Sequence, residues 1–136
     1  MKLIDTNVVM YSVGGAHPYK AYCERVFKMV AEAELEANID TELLQEVLHV
    51  FRRRDKDAVG LGLFDQLLDV FPDPYPIARA TATIARSLMG QHPLLGGRDA
   101  FHAAVVIEYR LEGIISADRA FDRIDGLKRF DPREFV

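Results

Sequence analysis

The hydrophobic positions of the chain alternate between short continuous runs and longer stretches with helical spacing. Short apolar runs at residues 2–5, 37–39, 114–116 and 127–130 predict four strands, the last of them at an edge of the sheet. Between these runs, apolar residues recur three or four positions apart, which predicts helices. Because strands and helices alternate, we expect an α/β fold with a mainly parallel sheet, helices on both of its faces, and more helix than strand.

Local signals indicate where the helices begin and end. Asp40 or Thr41 is a suitable N-cap for a helix whose apolar stripe ends at Phe51. Pro76 is expected in the first turn of the helix that follows a proline-rich loop, and Gly113 is expected to terminate the helix that begins at Arg98. The predicted helices cover residues 17–36, 40 or 41 to 51, 56–70, 76–88 and 98–111, and a helical turn begins at residue 118.

The length of 136 residues predicts a single domain over residues 1–136. No apolar stretch is long enough to span a bilayer, and the N-terminus does not resemble a signal peptide, so we expect no membrane association. Cys23 is the only cysteine, which excludes an intramolecular disulfide and a cysteine-type zinc site. These features fit a reducing, cytoplasmic location.

The net charge of −4 argues against broad electrostatic binding of nucleic acid, which requires a basic surface. It does not exclude a nuclease whose active site is itself an acidic pocket filled by cations. Basic residues are also unevenly distributed, with an arginine run at residues 52–54 and several arginines in the last third of the chain.

Acidic residues stand where two of the predicted strands end. Asp5 closes the first strand, and Asp118 follows the strand at 114–116. Ligands of an open parallel sheet bind beyond the carboxyl ends of its strands. Asp99 opens a predicted helix, and Glu46 lies one turn inside the helix after the second strand. We therefore expect these four carboxylates to meet at one rim of the sheet.

Four neighbouring carboxylates raise one another's pKa and require protons or cations. Mg²⁺ or Mn²⁺ suits oxygen ligands and supports phosphodiester hydrolysis. Each acid also has a simpler interpretation taken alone. Asp5, Asp99 and Asp118 are suitable residues for helix starts, and Glu46 is a common type of exposed helical acid. The prediction of a metal site therefore depends on the predicted topology.

Four segments, LIDTNVVMY, ELLQEVLHVF, RDAFHAAVVI and ISADRAFDRI, together resemble the PIN domain, and in particular the VapC-type ribonuclease toxins of toxin–antitoxin pairs. The resemblance extends over nearly the whole chain. It implies a small three-layer α/β/α sandwich with a short, mainly parallel central sheet. It also implies a metal-dependent endoribonuclease in which Mg²⁺ or Mn²⁺ assists the attack of water on an RNA phosphate.

The resemblance also assigns roles to residues of this chain. It implies that Asp5, Glu46, Asp99 and Asp118 are the catalytic, metal-holding acids. Asn7 and Ser116 would orient carboxylates or water, and Asp122 matches a less constant extra acid. Arg119, Arg123 or the run at 52–54 would hold flanking phosphates.

The partners implied by the resemblance are an RNA substrate, a cognate antitoxin protein and a second copy of the chain. The antitoxin would lie in an apolar groove, for which the candidate residues are Tyr11, Leu44, Leu48, Phe64 and Leu68. Each of these residues also fits ordinary core packing.

Several different functions remain open from the sequence. The spacings Glu46-x-x-His49 and Asp99-x-x-His102 occur in di-iron helical bundles, but such a bundle requires four long helices, so both histidines are interpreted as ordinary helix residues. A haloacid-dehalogenase-type phosphatase requires a second Asp where this chain has Asn7. A housekeeping RNA-processing PIN nuclease and a non-catalytic PIN-like binding module also fit the sequence.

Overall fold

A computed structural model describes residues 1–135 as six α-helices, four short strands and two 3-10 helices. None of the helices in this part of the chain has the length and apolar character needed to cross a membrane. In chain order the elements are β1 (Lys2–Ile4), α1 (Thr6–Val13), α2 (Lys20–Ala31), β2 (Ala37–Asn38), α3 (Thr41–Arg53), α4 (Asp57–Val70), α5 (Arg79–Gln91), α6 (Gly97–Glu108), β3 (Gly113–Ile115), a 3-10 helix (Arg119–Arg123), β4 (Arg129–Phe130) and a second 3-10 helix (Pro132–Glu134).

The four strands form one parallel sheet in the order β2-β1-β3-β4. The central strand β1 pairs with β2 on one side and with β3 on the other, with Leu3 opposite Ile114 and Ile4 opposite Ile115. All four strands lie where the sequence predicts them. Because β1 and β3 are parallel neighbours, the residues that follow them emerge side by side at the same edge of the sheet.

Side-chain alternation along the strands divides the interior into two cores. Leu3 and Ile114 pack in the core formed with α5 and α6. Ile4 and Ile115 point to the opposite face and pack in the core formed with α1 to α4. Successive strand residues point to opposite faces of a sheet, so two adjacent positions on each central strand serve both cores. The predicted three-layer α/β/α sandwich is confirmed.

The predicted helix over residues 17–36 is shorter in the structure, and it is preceded by a helix that Asp5 caps, as the simpler interpretation of Asp5 expects. Helix α1 begins directly after Asp5, whose side chain accepts a hydrogen bond from the Thr6 N–H at 2.8 Å. Helix α2 ends at Ala31 because Ala33 adopts a left-handed conformation, with φ of 57°. A left-handed residue interrupts the helical hydrogen-bond pattern and turns the chain toward β2.

Two predicted roles, those of Pro76 and Gly113, are wrong. Pro76 lies before α5, whose N-cap is Ala78, and the Ala78 N–H donates to the Thr81 hydroxyl. Helix α6 ends at Glu108, and Arg110, with φ of 52°, takes the left-handed position expected of a glycine. Gly113 instead begins β3, where a Cβ would collide with the backbone carbonyl of Lys128. The glycine is required there because β3 and β4 approach closely.

Candidate active site

The four acids of the sequence prediction line a single open cleft at the carboxyl edge of the sheet. Asp5 follows β1, Glu46 lies on α3, Asp99 lies in the first turn of α6, and Asp118 lies beyond β3. The cleft has a volume of about 510 Å³. Asp5 and Glu46 are buried at its base, Asp99 is half-buried, and Asp118 is exposed. Its other walls include Asn7, Met10, Tyr11, Val50, Arg98, Gly97 at the start of α6 and Gly96, the N-cap of that helix.

The buried Ser116 hydroxyl joins the ends of β1 and β3. It donates a hydrogen bond to Asp5 Oδ2 at 2.6 Å. It accepts bonds from the Asn7 side-chain amide at 3.1 Å and from the Asp118 backbone N–H at 2.9 Å. The Ser116 hydroxyl therefore contacts both the Asp5 carboxylate, directly after β1, and the backbone N–H of Asp118. Asn7 acts on Asp5 through this hydroxyl.

A fully buried histidine lies beneath the cleft. The Nδ1–H of His102 donates to Asp40 Oδ2 at 2.7 Å, and Asp40 is itself fully buried. On the other side of the ring, Nε2 is 3.2 Å from the Thr6 hydroxyl, 3.4 Å from Glu46 Oε1 and 3.7 Å from Asp5 Oδ1. The imidazole therefore lies between one acid outside the cleft and two acids inside it.

The ionisation of the buried acids reflects a balance between burial and this histidine. Burial raises the pKa of Asp5, although the charge of His102 and the hydroxyl of Ser116 act to lower it. Burial also acts to raise the pKa of Glu46, but hydrogen bonds from His102 and Thr6 outweigh it and lower the pKa. Burial acts to lower the pKa of His102, yet Asp40 and Glu46 raise it well above its usual value. The acids on both sides of the ring therefore favour its protonated, positively charged form.

The outer two acids have no such partner. Burial, together with the charges of Asp5 and Asp118, raises the pKa of Asp99 to about 6. Neither Asp99 nor Asp118 takes part in an ion pair among residues 1–135. Asp118 accepts a hydrogen bond from the Ala120 N–H and so caps the 3-10 helix that follows, as the simpler interpretation of this residue expects. Within residues 1–135, no salt bridge therefore balances the negative charge of these two acids at the mouth of the cleft.

The cleft fits a hard divalent cation that retains part of its water. Its donors are carboxylate, hydroxyl and amide oxygens, which Mg²⁺ and Mn²⁺ prefer. Across residues 1–135, no three His, Cys, Asp or Glu side chains converge closely enough to form a complete ligand set. Mg²⁺ is commonly bound through one or two carboxylates together with several waters. This spacing therefore suits a hydrated ion better than an ion enclosed by protein ligands.

The predicted basic residues and the extra acid lie outside the cleft. Asp122 forms a salt bridge with Arg129 at 2.9 Å, and Arg129 also donates to the Ser116 carbonyl at 3.0 Å. Arg123 lines a separate depression with residues 91–95, and Arg119 is exposed. Asp122 therefore contacts the site only indirectly, through Arg129 and the backbone of Ser116.

A basic depression adjoins the cleft instead. It has a volume of about 390 Å³ and is lined by His49, Val50, Arg53, Arg54 and Arg98, of which Val50 and Arg98 also line the acidic cleft. Neither Arg53, Arg54 nor Arg98 forms a salt bridge within the described residues, whereas Arg52 pairs with Asp57 at 3.3 Å. Acidic and basic surfaces therefore meet along one edge, at Arg98.

The sequence does not predict the roles of three residues at this site, His102, Asp40 and Arg98. Sequence reasoning interprets His102 as an ordinary helix residue. It expects Asp40 only as a helix cap, and Asp40 does accept the Leu43 N–H at 2.9 Å. It predicts Arg98 only as the start of a helix. The Asp40–His102 contact joins residues 62 positions apart, for which the sequence carries no local signal.

Comparison with known proteins identifies the family. The profile of the PIN domain matches residues 2–127. The chain belongs to the PIN-domain family. Among curated relatives of this PIN domain, the ribonuclease VapC13 of Mycobacterium tuberculosis is 32% identical over 129 residues, covering 95% of this chain and 98% of the relative. The ribonuclease VapC7 of the same species is 32% identical over 123 residues, covering 89% and 84% respectively. The resemblance inferred from the four motifs is confirmed.

Solved structures share the fold of this PIN domain. The VapBC2 complex of Rickettsia felis, bound to a promoter DNA fragment, superimposes with a TM-score of 0.72 at 14% identity, covering 96% of this chain and 98% of the other. FitAcB of Neisseria gonorrhoeae gives a TM-score of 0.72 at 20% identity, covering 98% and 99%. Together with the parallel sheet, this fold excludes the di-iron bundle. The position of His49 agrees with the exclusion of a di-iron site, because His49 lines the exposed basic depression.

We expect Asp99→Asn to stabilise the metal-free PIN domain above pH 6 and to have no effect near pH 3. Asp99 has an ordinary pKa of 3.8 and a folded pKa of about 6, so the folded state binds more protons between these values. Its carboxylate therefore destabilises the fold increasingly as pH rises through this window, and fully above it. The gain at pH 7.5 should be on the order of 1–2 kcal/mol after allowance for solvent screening.

This prediction is checked by urea denaturation in EDTA at a series of pH values, with the exposed α4 acid variant Asp65→Asn as control. A difference between Asp99→Asn and the unmodified chain that stays constant with pH would contradict it.

Proposed function

We propose that this PIN domain is a metal-dependent endoribonuclease and acts as the toxin of a VapBC-type toxin–antitoxin pair. The observation that carries the proposal is the gathering of four carboxylates from four separate elements into one cleft. Relatives at 32% identity over almost the whole chain are VapC ribonucleases, which supports the same activity. Asp5, Glu46, Asp99 and Asp118 are the proposed catalytic acids.

The acids have distinct proposed tasks. Asp5 is fixed by Ser116 and the Thr6 N–H, so it presents a carboxylate of defined direction at the base of the cleft. Asp99 and Asp118 lie nearer to solvent without ion-pair partners, which suits them to hold a hydrated cation. When bound, Mg²⁺ or Mn²⁺ would polarise the scissile phosphate and favour deprotonation of the attacking water. Glu46 would contact the cation directly or through water.

We further propose that the basic depression holds a phosphate that flanks the cleavage site. Arginine is suited to this task because its guanidinium group offers several donors to phosphate oxygens. Arg98 lies on the border between the two surfaces, so an RNA strand whose scissile phosphate occupies the cleft would extend toward Arg53 and Arg54. Arg119 and Arg123, the candidates from the sequence, are the competing proposal.

An antitoxin partner and a homodimer are also proposed. Structural neighbours include toxin–antitoxin complexes that match nearly the full chain. An apolar groove runs between α1, α2 and α4 and continues toward the start of α4. It is lined by Val9, Val13, Phe27, Val59, Leu63, Leu67 and Val70. These positions differ from the groove residues expected from the sequence, of which Leu44 is buried in the core.

Asp5→Asn and Asp99→Asn should each reduce RNA cleavage by about 100-fold or more, because each removes a charge that a preorganised site needs. The measurement is single-turnover cleavage of a labelled RNA in Mg²⁺ and in Mn²⁺. EDTA should abolish cleavage by the unmodified chain, and Asp65→Asn should cleave normally.

Cleavage that persists in EDTA or in both active-site variants would indicate a contaminating ribonuclease and contradict the proposal. Inactivity of the unmodified chain, despite normal binding of its partner, would favour a non-catalytic PIN-like module.

Arg53→Ala and Arg98→Ala should weaken RNA binding, and each lost phosphate contact should reduce the slope of log affinity against log salt by about 0.7 for single-stranded RNA. Fluorescence anisotropy in the inactive Asp99→Asn background measures both quantities. Arg52→Ala is the matched control, because this neighbour pairs with Asp57. A loss in Arg119→Ala and Arg123→Ala but not in Arg53→Ala would support the competing proposal.

Val59→Asp should abolish co-purification with the antitoxin encoded beside this chain, because it places a charge in the apolar groove. Leu61→Asp is the matched control: both residues lie on α4 and are 54% and 55% exposed, but only Val59 lines the groove. Light scattering of the isolated chain measures the dimer separately. Equal binding by both variants would exclude this groove, and the absence of any neighbouring partner would favour a housekeeping nuclease.

A further inference from the structure

We propose that His102, held by Asp40, is a positioning residue that sets the separation of the Asp5 and Glu46 carboxylates in the cation site. The inference rests on the proposed function, because it concerns the same cleft. It adds two residues, neither of which lines the cleft, to the groups on which cation binding depends.

The orientation of the imidazole ring is fixed from one side. Its Nδ1–H donates to Asp40 at 2.7 Å, and both side chains are fully buried. The other oxygen of Asp40 accepts the Leu43 N–H at 2.9 Å, so this carboxylate is tied to the first turn of α3. A ring held in this way cannot rotate without breaking a buried hydrogen bond, which is costly.

The free side of the ring faces the cleft acids. Nε2 is 3.4 Å from Glu46 Oε1 on α3 and 3.7 Å from Asp5 Oδ1 at the end of β1. The Thr6 hydroxyl, at 3.2 Å, completes this contact. Two carboxylates that contact the same ring nitrogen repel one another, so a fixed group between them limits how closely they approach. Through Nδ1 the ring contacts Asp40, the N-cap of α3, and through Nε2 it contacts both Glu46 on α3 and Asp5 at the end of β1.

Core packing alone does not account for this arrangement. The residues that follow His102 on α6, Ala103 to Val106, are small or apolar and buried, and an aliphatic side chain would fill the position with a smaller desolvation cost. Removal of the imidazole would also leave Asp40 buried without its partner. A role in positioning the acids of the cleft explains why the buried polar pair of His102 and Asp40 is present.

Two substitutions separate the contacts of the ring. The amide nitrogen of His102→Asn reaches about as far as Nδ1, so it retains the bond to Asp40 and loses the contact with Glu46 and Asp5. The longer His102→Gln places its amide near the position of Nε2, so it retains the contact with Glu46 and Asp5 and loses the bond to Asp40. Binding of Mn²⁺ is measured for each purified chain by the electron paramagnetic resonance signal of the free ion, without RNA or turnover.

We expect His102→Asn to bind Mn²⁺ about 10- to 100-fold more weakly than the unmodified chain, the usual effect of losing a group that orients metal ligands. His102→Gln keeps the contacts with Glu46 and Asp5 but is no longer held by Asp40, so it should bind Mn²⁺ about threefold more weakly, a smaller loss than that of His102→Asn. Unchanged affinity in both variants, or equal losses in both, would overturn the proposal. If the unmodified chain itself binds no Mn²⁺, the proposed function fails; if it binds and His102→Asn matches it, only this inference fails.

Three further variants separate a loss of fold from a loss of the position of the acids. Thr81→Val removes a half-buried hydrogen bond to Glu108, 2.9 Å long, between α5 and α6 and away from the cleft. It should lower the melting temperature and leave Mn²⁺ affinity unchanged.

If His102→Asn does not fold, Asp40→Asn and Asp40→Ala replace it. Asparagine has one acceptor oxygen, so with that oxygen on the Leu43 N–H it retains the helix cap and turns an NH2 group toward Nδ1, whereas alanine removes both contacts. A folded Asp40→Ala chain with unchanged Mn²⁺ affinity would overturn the proposal.

Discussion

Repulsion between carboxylates at one end of a small sheet is the constraint around which the site is arranged. Two of the four acids are buried, and burial without compensation would favour their neutral forms. The protein compensates them internally, through a buried imidazole and the hydroxyls of Ser116 and Thr6. The outer pair, Asp99 and Asp118, receives no counter-ion from the described residues of the protein. This division between compensated and uncompensated charge explains why the cleft suits an external cation at its mouth.

The sheet topology makes this clustering possible with very little regular structure. Strands β1 and β3 contribute three residues each, yet their parallel pairing delivers Asp5 and Ser116 side by side. The same residues divide their side chains between the two cores, so the layers on both faces hold the strand ends in place. Helices α3 and α6 then bring Glu46, Asp99 and His102 to this edge. The site is therefore formed where both cores meet.

The sequence is informative where position follows from local pattern. Strand ends and helical spacing place Asp5, Glu46, Asp99 and Asp118 at one edge, because a parallel sheet leaves little choice of edge. It is uninformative where function depends on distant pairing: nothing near Asp40 indicates His102, and the arginine depression forms only when α3 and α6 pack together. Pro76 and Gly113 are misassigned because their residue types suit several local conformations, and close strand packing determines the role of Gly113.

The two outer strands of the sheet have a consequence for self-association. Both β2 and β4 contain only two residues, so each edge exposes very few backbone N–H and C=O groups to another strand. Short edge strands are a common protection against sheet extension and fibre formation. Any assembly of this chain with itself therefore has to be built from helix and loop surfaces, and growth by strand addition is disfavoured even at high concentration.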